Sequence, residues 1–159
     1  MKRRDFIIAC SAVPFIQIEA NSKLPTNIKD IIQAVQNVIF NGDGLPSARE
    51  FRALEFLERA IYHKSFDRDI RKYIIDGALK FQKNEGKNFL SLNSKKREEA
   101  LREFEKSGGD GWISRIMVIS LEALLSDPIY GGNYKESGWI ALDIKAGEPR
   151  PKSRYIFDE

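Results

Sequence analysis

Apolar residues recur at helical spacing along most of the chain. After Thr26, a candidate N-cap, they stand at Ile28, Ile31, Ile32, Val35, Val38 and Ile39. Steps of three and four place them on one helix face. Asn41-Gly42-Asp43-Gly44 and then Pro46 stop that helix. Ser47 and Glu50 have capping-box spacing, and Phe51, Leu54, Leu57 and Ile61 form the stripe of a second helix behind them. A third is predicted to start near Ser65 or Asp67, to bury Ile70, Tyr73, Ile74, Ala78 and Phe81, and to end around Asn84-Glu85-Gly86. Asn93 or Ser94 caps a fourth. Its apolar positions are Leu101 and Phe104, and the rest, Lys95 to Lys106, reads as a solvated charged face on which Glu98 and Arg102 have the favourable four-residue order. Ser107-Gly108-Gly109 is expected to break the chain, and Asp110 to cap a fifth helix through Trp112, Ile113, Ile116, Met117, Leu121, Leu124 and Leu125. This is the most apolar of the five, which predicts a central position. Asp127-Pro128 ends it, because proline pushes the preceding residue out of helical geometry. No run alternates with period two for long enough to make a strand. The pattern predicts an all-α protein, a bundle of about five helices with an irregular C-terminal segment.

The first twenty residues read differently. Lys2, Arg3 and Arg4 precede an uncharged run from Phe6 to Ile18, 13 residues in all. A membrane span needs about 20 apolar residues, so the run is short for an anchor. A basic start, a short apolar middle and a small residue at Ala20 make a secretory signal. Arg3-Arg4 followed by Phe6 resemble a twin-arginine signal, although Lys2 and Ile8 stand where other residues are usual. A general secretory signal and a buried N-terminal helix are the alternatives, and Cys10 after Ile7-Ile8-Ala9 has the look of a lipoprotein box. The division is then residues 1–20 as signal and residues 21–159 as one helical domain.

Composition narrows the chemistry. The chain has 159 residues, 31% charged and 42% hydrophobic, with a formal charge of +3. That suits one soluble domain and is too mild a charge to nominate nucleic acid. There is one Cys and one His. Cleavage near Ala20 would leave no Cys, hence no disulfide and no thiol nucleophile. His63 has no orienting partner or further ligands in sequence, so a surface or capping place is expected. Carboxylates sit among Lys and Arg. The loops Gly42-Asp43-Gly44 and Gly108-Gly109-Asp110-Gly111 lack nucleotide-fingerprint spacing and have too few oxygen ligands for calcium. Neither a catalytic residue nor a cofactor or metal site is expected in this chain. An enzyme acting on carbohydrate would need paired carboxylates, for which only Asp110, Asp127 and Glu136 lie near an irregular segment.

The C-terminal segment carries the strongest signal. Asp127-Pro128-Ile129-Tyr130-Gly131-Gly132-Asn133 is followed by Gly138-Trp139 and by Pro149-Arg150-Pro151. Adjacent glycines allow close backbone approach, Asn133 can tighten a turn, and Trp139 offers a large apolar surface. Such a loop either packs on its own bundle or forms a docking surface. These residues resemble the gluconate 2-dehydrogenase subunit 3 family, as do Arg3 to Phe6 and Phe89-Leu90-Ser91-Leu92 before the charged helix. Tyr134 to Ser137 and Asp143 to Ala146 depart from the family's usual residues. The resemblance implies a non-catalytic small subunit in the periplasm, associated with the inner membrane through its complex. It implies a large flavoprotein partner that holds FAD and oxidises a sugar or sugar acid, and haem c where a cytochrome c subunit completes the assembly. It implies that the small subunit supplies the twin-arginine export signal and supports the partner's folding. Partner contacts are then expected at Asp127, Pro128, Tyr130, Gly131, Gly132, Asn133, Gly138 and Trp139. A free-standing periplasmic chaperone or binding module, associating transiently with its client, is the competing reading.

Overall fold

The isoleucines of the first stripe do face inward. In the computed structural model, which describes residues 23–84 and 88–154, helix α1 (Thr26–Ile39) buries Ile28, Ile31, Ile32 and Val35. Four more long helices follow: α2 (Ala53–Tyr62), α3 (Arg68–Asn84), α4 (Ser94–Phe104) and α5 (Asp110–Leu125). Among the described residues there is no strand, and the protein is the all-α bundle expected. The segment anticipated as irregular also holds two 3-10 turns and a short helix, α6 (Ser137–Ala141). Residues 1–22, with Arg3, Arg4, Phe6, Cys10 and Ala20, lie outside the described residues.

Local signals place the helix starts with some corrections. Asp67 accepts the Asp69 and Ile70 N–H groups at the start of α3, and Asn93 accepts that of Lys96 at the start of α4. Both satisfy donors that a helix leaves unpaired. The Ser47–Glu50 box forms, with the Ser47 N–H donating to Glu50 at 2.6 Å and the Glu50 N–H to Ser47 Oγ at 3.4 Å. It closes a separate turn, however, because Arg52 adopts a left-handed conformation (φ 60°) before α2 begins. Thr26 and Asp110 are first helical residues and not caps. Ser107-Gly108-Gly109 does break the helix, as expected, because Gly108 leaves helical geometry between α4 and α5. The chain bends through one π-type turn, Glu105–Gly109, with Gly108 at φ 91°.

Helix α5 packs against α1, α2, α3 and α6, so its central position holds. At one end of the core, Phe81, Phe89, Phe104 and Trp112 interlock. Phe81 lies 4.7 Å from Phe89 and 4.9 Å from Phe104, edge to face, and stacks on Trp112 at 5.8 Å. These are favoured aromatic geometries. A buried polar pair also spans the core: Gln36 of α1 donates to Ser120 Oγ of α5 at 3.1 Å, and Ser120 donates to the Ile116 carbonyl at 2.8 Å. Two expectations need correction. Tyr73, anticipated in the core, is exposed, because Ile70, Ile74, Ala78 and Phe81 already fill the inward stripe of α3. Met117, Leu121 and Leu125 lie on the outer side of α5, with Val118.

Candidate functional site

A helix ends with carbonyls that have no intrahelical partner. The residues after α5 supply partners for them. Ser126 donates its N–H to the Glu122 carbonyl at 2.9 Å and its hydroxyl to that of Ala123 at 3.2 Å. Trp139 Nε1 donates to the Leu125 carbonyl at 2.9 Å. Asn133 Nδ2 donates to the Ser126 carbonyl at 3.0 Å, while Asn133 Oδ1 accepts the Gly138 N–H at 2.8 Å. Asn133 and Trp139 therefore close the C-terminal end of α5 and tie α6 to it.

The intervening residues are shaped by the same requirement. Asp127 Oδ1 accepts the Ile129 N–H and starts the turn Pro128–Tyr130. Gly131 ends that turn at φ 98°, a conformation glycine adopts without cost. Gly132 and Gly138 press directly on α5. A Cβ on Gly132 would lie 2.3 Å from the Ala123 carbonyl oxygen, and one on Gly138 would lie 2.2 Å from that of Leu124.

Arg150 returns from the C-terminal strap to lock the assembly. Its Nε donates to Asp127 Oδ2 at 2.9 Å and its Nη1 to Glu136 at 2.6 Å, and its guanidinium lies 5.1 Å from the centre of the Trp139 ring. Burial pushes the Asp127 carboxyl up, but the Arg150 hydrogen bond, the Ile129 N–H and the Arg150 charge outweigh it and hold the pKa below the ordinary carboxylate value. A depressed folded pKa contributes stability above the unfolded value, about 3.9, and loses it as pH falls through the folded one. The urea midpoint should therefore drop below about pH 4, and Arg150→Gln should flatten that acid limb while leaving Gly131 and Gly132 untouched. An acid limb unchanged by the substitution would refute this assignment. Asp127 and Glu136 are thus both partners of one guanidinium. For Asp127 the lowered pKa is the opposite of what a general acid needs.

The positions anticipated as docking contacts divide in two. Gly132, Asn133 and Gly138 are buried against their own bundle, whereas Asp127, Pro128, Tyr130, Gly131 and Trp139 keep part of their surface. The outward face of the same segment is apolar: Ile140 is 72% exposed, and Leu142, Ile144 and Tyr134 are also exposed. Sequence reasoning passed over Ile140, although its place directly after Trp139 on a five-residue helix was the available sign.

A second feature lies beside the motif. An apolar groove of about 820 Å³ runs between α2, the start of α3 and α5, with Phe56, Ile70, Val118, Leu121 and Leu125 in its walls and Tyr130 at one end. His63 stands at its rim, where Nδ1 accepts the Ser65 N–H at 3.2 Å. Among the described residues no three metal-ligating side chains gather, and no helix is long and apolar enough to cross a membrane.

The family model of gluconate 2-dehydrogenase subunit 3 matches residues 28–144, from the first turn of α1 to just beyond α6. The C-terminal motif through Trp139 lies inside that match, and Pro149-Arg150-Pro151 lies beyond it. No curated protein and no solved structure matches the chain.

Proposed function

Because the chain belongs to the gluconate 2-dehydrogenase subunit 3 family, we propose that it is the non-catalytic small subunit of a flavin-dependent dehydrogenase acting on a sugar or sugar acid. In this reading the large flavoprotein holds FAD and performs the oxidation. A cytochrome c subunit, where present, takes the electrons on. The small subunit supports the folding and stability of the flavoprotein in the periplasm, and Arg3, Arg4 and Phe6 direct its export.

The observation that carries the reading is the family match, since it takes in the motif and the apolar face built on it. We assign that face, Ile140 with Leu142, Ile144 and the open sides of Tyr130 and Trp139, to contact with the flavoprotein. Asn133, Gly132 and Gly138 act at one remove, by holding α6 against α5. Obligate interfaces are more apolar than ordinary surface and gain from such residues.

Two measurements test this. A C-terminally tagged chain, recovered from the periplasmic and membrane fractions, should bring down a larger chain with a flavin absorption spectrum. A colourless eluate of this chain alone, monomeric and stable, would overturn the reading. Ile140→Asp should weaken that co-purification about tenfold, since it buries a charge at an apolar contact, and should leave the melt of the isolated chain unchanged. Unaltered recovery of the partner would remove α6 from the interface.

A further inference from the structure

We infer that the groove between α2, α3 and α5 is the docking site for this chain's own N-terminal segment, with the apolar run Phe6 to Ile18 against its walls and Lys2, Arg3 and Arg4 at its acidic rim. Four observations converge on that occupant. The groove is apolar on a scale that single exposed residues do not explain: Val118, Leu121 and Leu125 of α5 are each more than a third exposed along one helix face, opposite Phe56 and Ile70. Its volume, about 820 Å³, falls within the range of sites that enclose a substantial ligand. Among the described residues that line it, the charged ones are Asp67 and Glu122, both acidic. The N-terminal segment has the complementary pattern, with Lys2, Arg3 and Arg4 outweighing Asp5 ahead of 13 uncharged residues.

The point of entry fits as well. Leu24 is buried, and its N–H donates to Glu58 of α2 at 3.1 Å. Lys29 pairs with the same carboxylate at 2.7 Å. The chain preceding Leu24 is therefore delivered to α2, the helix whose other side contributes Phe56 and Ala60 to the groove. Residues 19–23, between Ile18 and Leu24, span up to about 18 Å when extended, against about 16 Å for the path halfway round a helix about 10 Å across. A short amphipathic segment laid in an apolar groove is a common recognition mode, and here the tether raises the local concentration of the ligand. The arrangement shelters an apolar segment while it remains attached and opens the groove once it is removed. It concerns two parts of one chain and does not depend on the subunit reading.

The single cysteine, Cys10, lies inside the apolar run and provides the test. In the full chain, purified with residues 1–22 intact, second cysteines are introduced one at a time at Val118 and Leu121 in the groove and at Glu99, exposed on α4. With diamide as oxidant, Leu121→Cys and Val118→Cys should form an intramolecular disulfide with Cys10 about tenfold faster than Glu99→Cys, as expected for a docked rather than a merely tethered thiol. In the unsubstituted chain, Cys10 should react with a bulky maleimide about tenfold more slowly than after Leu121→Glu. Equal disulfide rates at all three positions, or a maleimide rate indifferent to Leu121→Glu, would overturn the inference. Disulfides formed only between chains would overturn it too and assign the groove to a second copy.

Discussion

Gly132→Ala is expected to cost the isolated chain about 3 kcal/mol or more of unfolding free energy, against about 1 kcal/mol for Gly131→Ala one position earlier. The two glycines serve different purposes. At Gly132 the added methyl would meet the Ala123 carbonyl oxygen at 2.3 Å and its Cα and carbonyl carbon at 2.8 and 2.9 Å. All three atoms are backbone in the last turns of α5, so relief requires the loop to lift from the helix. Lifting it pulls Asn133 Nδ2 from the Ser126 carbonyl and Oδ1 from the Gly138 N–H, leaving buried groups unpaired. At Gly131 the new methyl would meet Arg59 Nη1 at 2.6 Å, the far end of a flexible side chain that can swing aside. The remaining penalty there is the left-handed backbone at φ 98°. Urea unfolding of both variants decides the matter. Equal losses would mean that close approach to α5 does not set the identity of position 132.

The same comparison shows what was legible in the sequence and what was not. The all-α class and the inward stripes of α1 and α3 followed from spacing alone, because three- and four-residue steps define one face whatever packs against it. Spacing does not say how many faces of an apolar helix are covered. Trp112, Ile116, Ile119 and Leu124 of α5 met the core, but Met117, Val118, Leu121 and Leu125 keep more than a third of their surface exposed. The groove that Val118, Leu121 and Leu125 help to form exists only once α2 and α3 are placed opposite. The Ser47–Glu50 box was readable, yet its position outside α2 turned on the left-handed Arg52, for which the sequence offers no sign. The Gln36–Ser120 pair was missed because both residues are polar, and only their contact across the core makes them buryable.

The site was legible as a motif and not as a mechanism. Asp127, Gly131, Gly132, Asn133 and Trp139 stood out by type, and an irregular aromatic loop suggested a surface for a partner. The structure shows that much of the motif's chemistry is internal, with Asn133 and Trp139 completing the hydrogen bonding of α5. A capping reading was available in principle, since a helix halted by Asp127-Pro128 must find donors for its last carbonyls. The donors, however, come from seven and 14 residues downstream, beyond the reach of local capping rules. Arg150, 23 residues from Asp127, was farther still.

The two tryptophans should separate folding from assembly. Trp112→Ala is expected to remove about 3–5 kcal/mol from the isolated chain, a third or more of the stability of an ordinary domain. Trp112 is 2% exposed, stacks on Phe81 and meets Phe104 edge-on at 5.9 Å. Its Nε1 donates to the Ile74 carbonyl at 2.9 Å, so truncation leaves a cavity and removes that hydrogen bond. Gly77 of α3 makes room for the ring, since a Cβ there would lie 2.0 Å from Trp112 Cδ1. Trp139 is different. It keeps part of its surface, and one side of its ring is covered by the half-buried Arg150, which Asp127 and Glu136 hold in place without it. Trp139→Ala should therefore cost the isolated chain about 1–2 kcal/mol, chiefly the hydrogen bond to the Leu125 carbonyl and partial apolar burial. Calorimetric melts of the isolated variants, beside recovery of the flavoprotein in the pull-down, give the discriminating pair of numbers. Trp112→Ala should lower the melt steeply and lower recovery only as far as the unfolded fraction dictates. Trp139→Ala should lower the melt by only a few degrees, so any loss of partner beyond that smaller destabilisation belongs to the interface. A Trp139→Ala melt as low as that of Trp112→Ala would make Trp139 a core residue and leave Ile140 to carry the docking face without it.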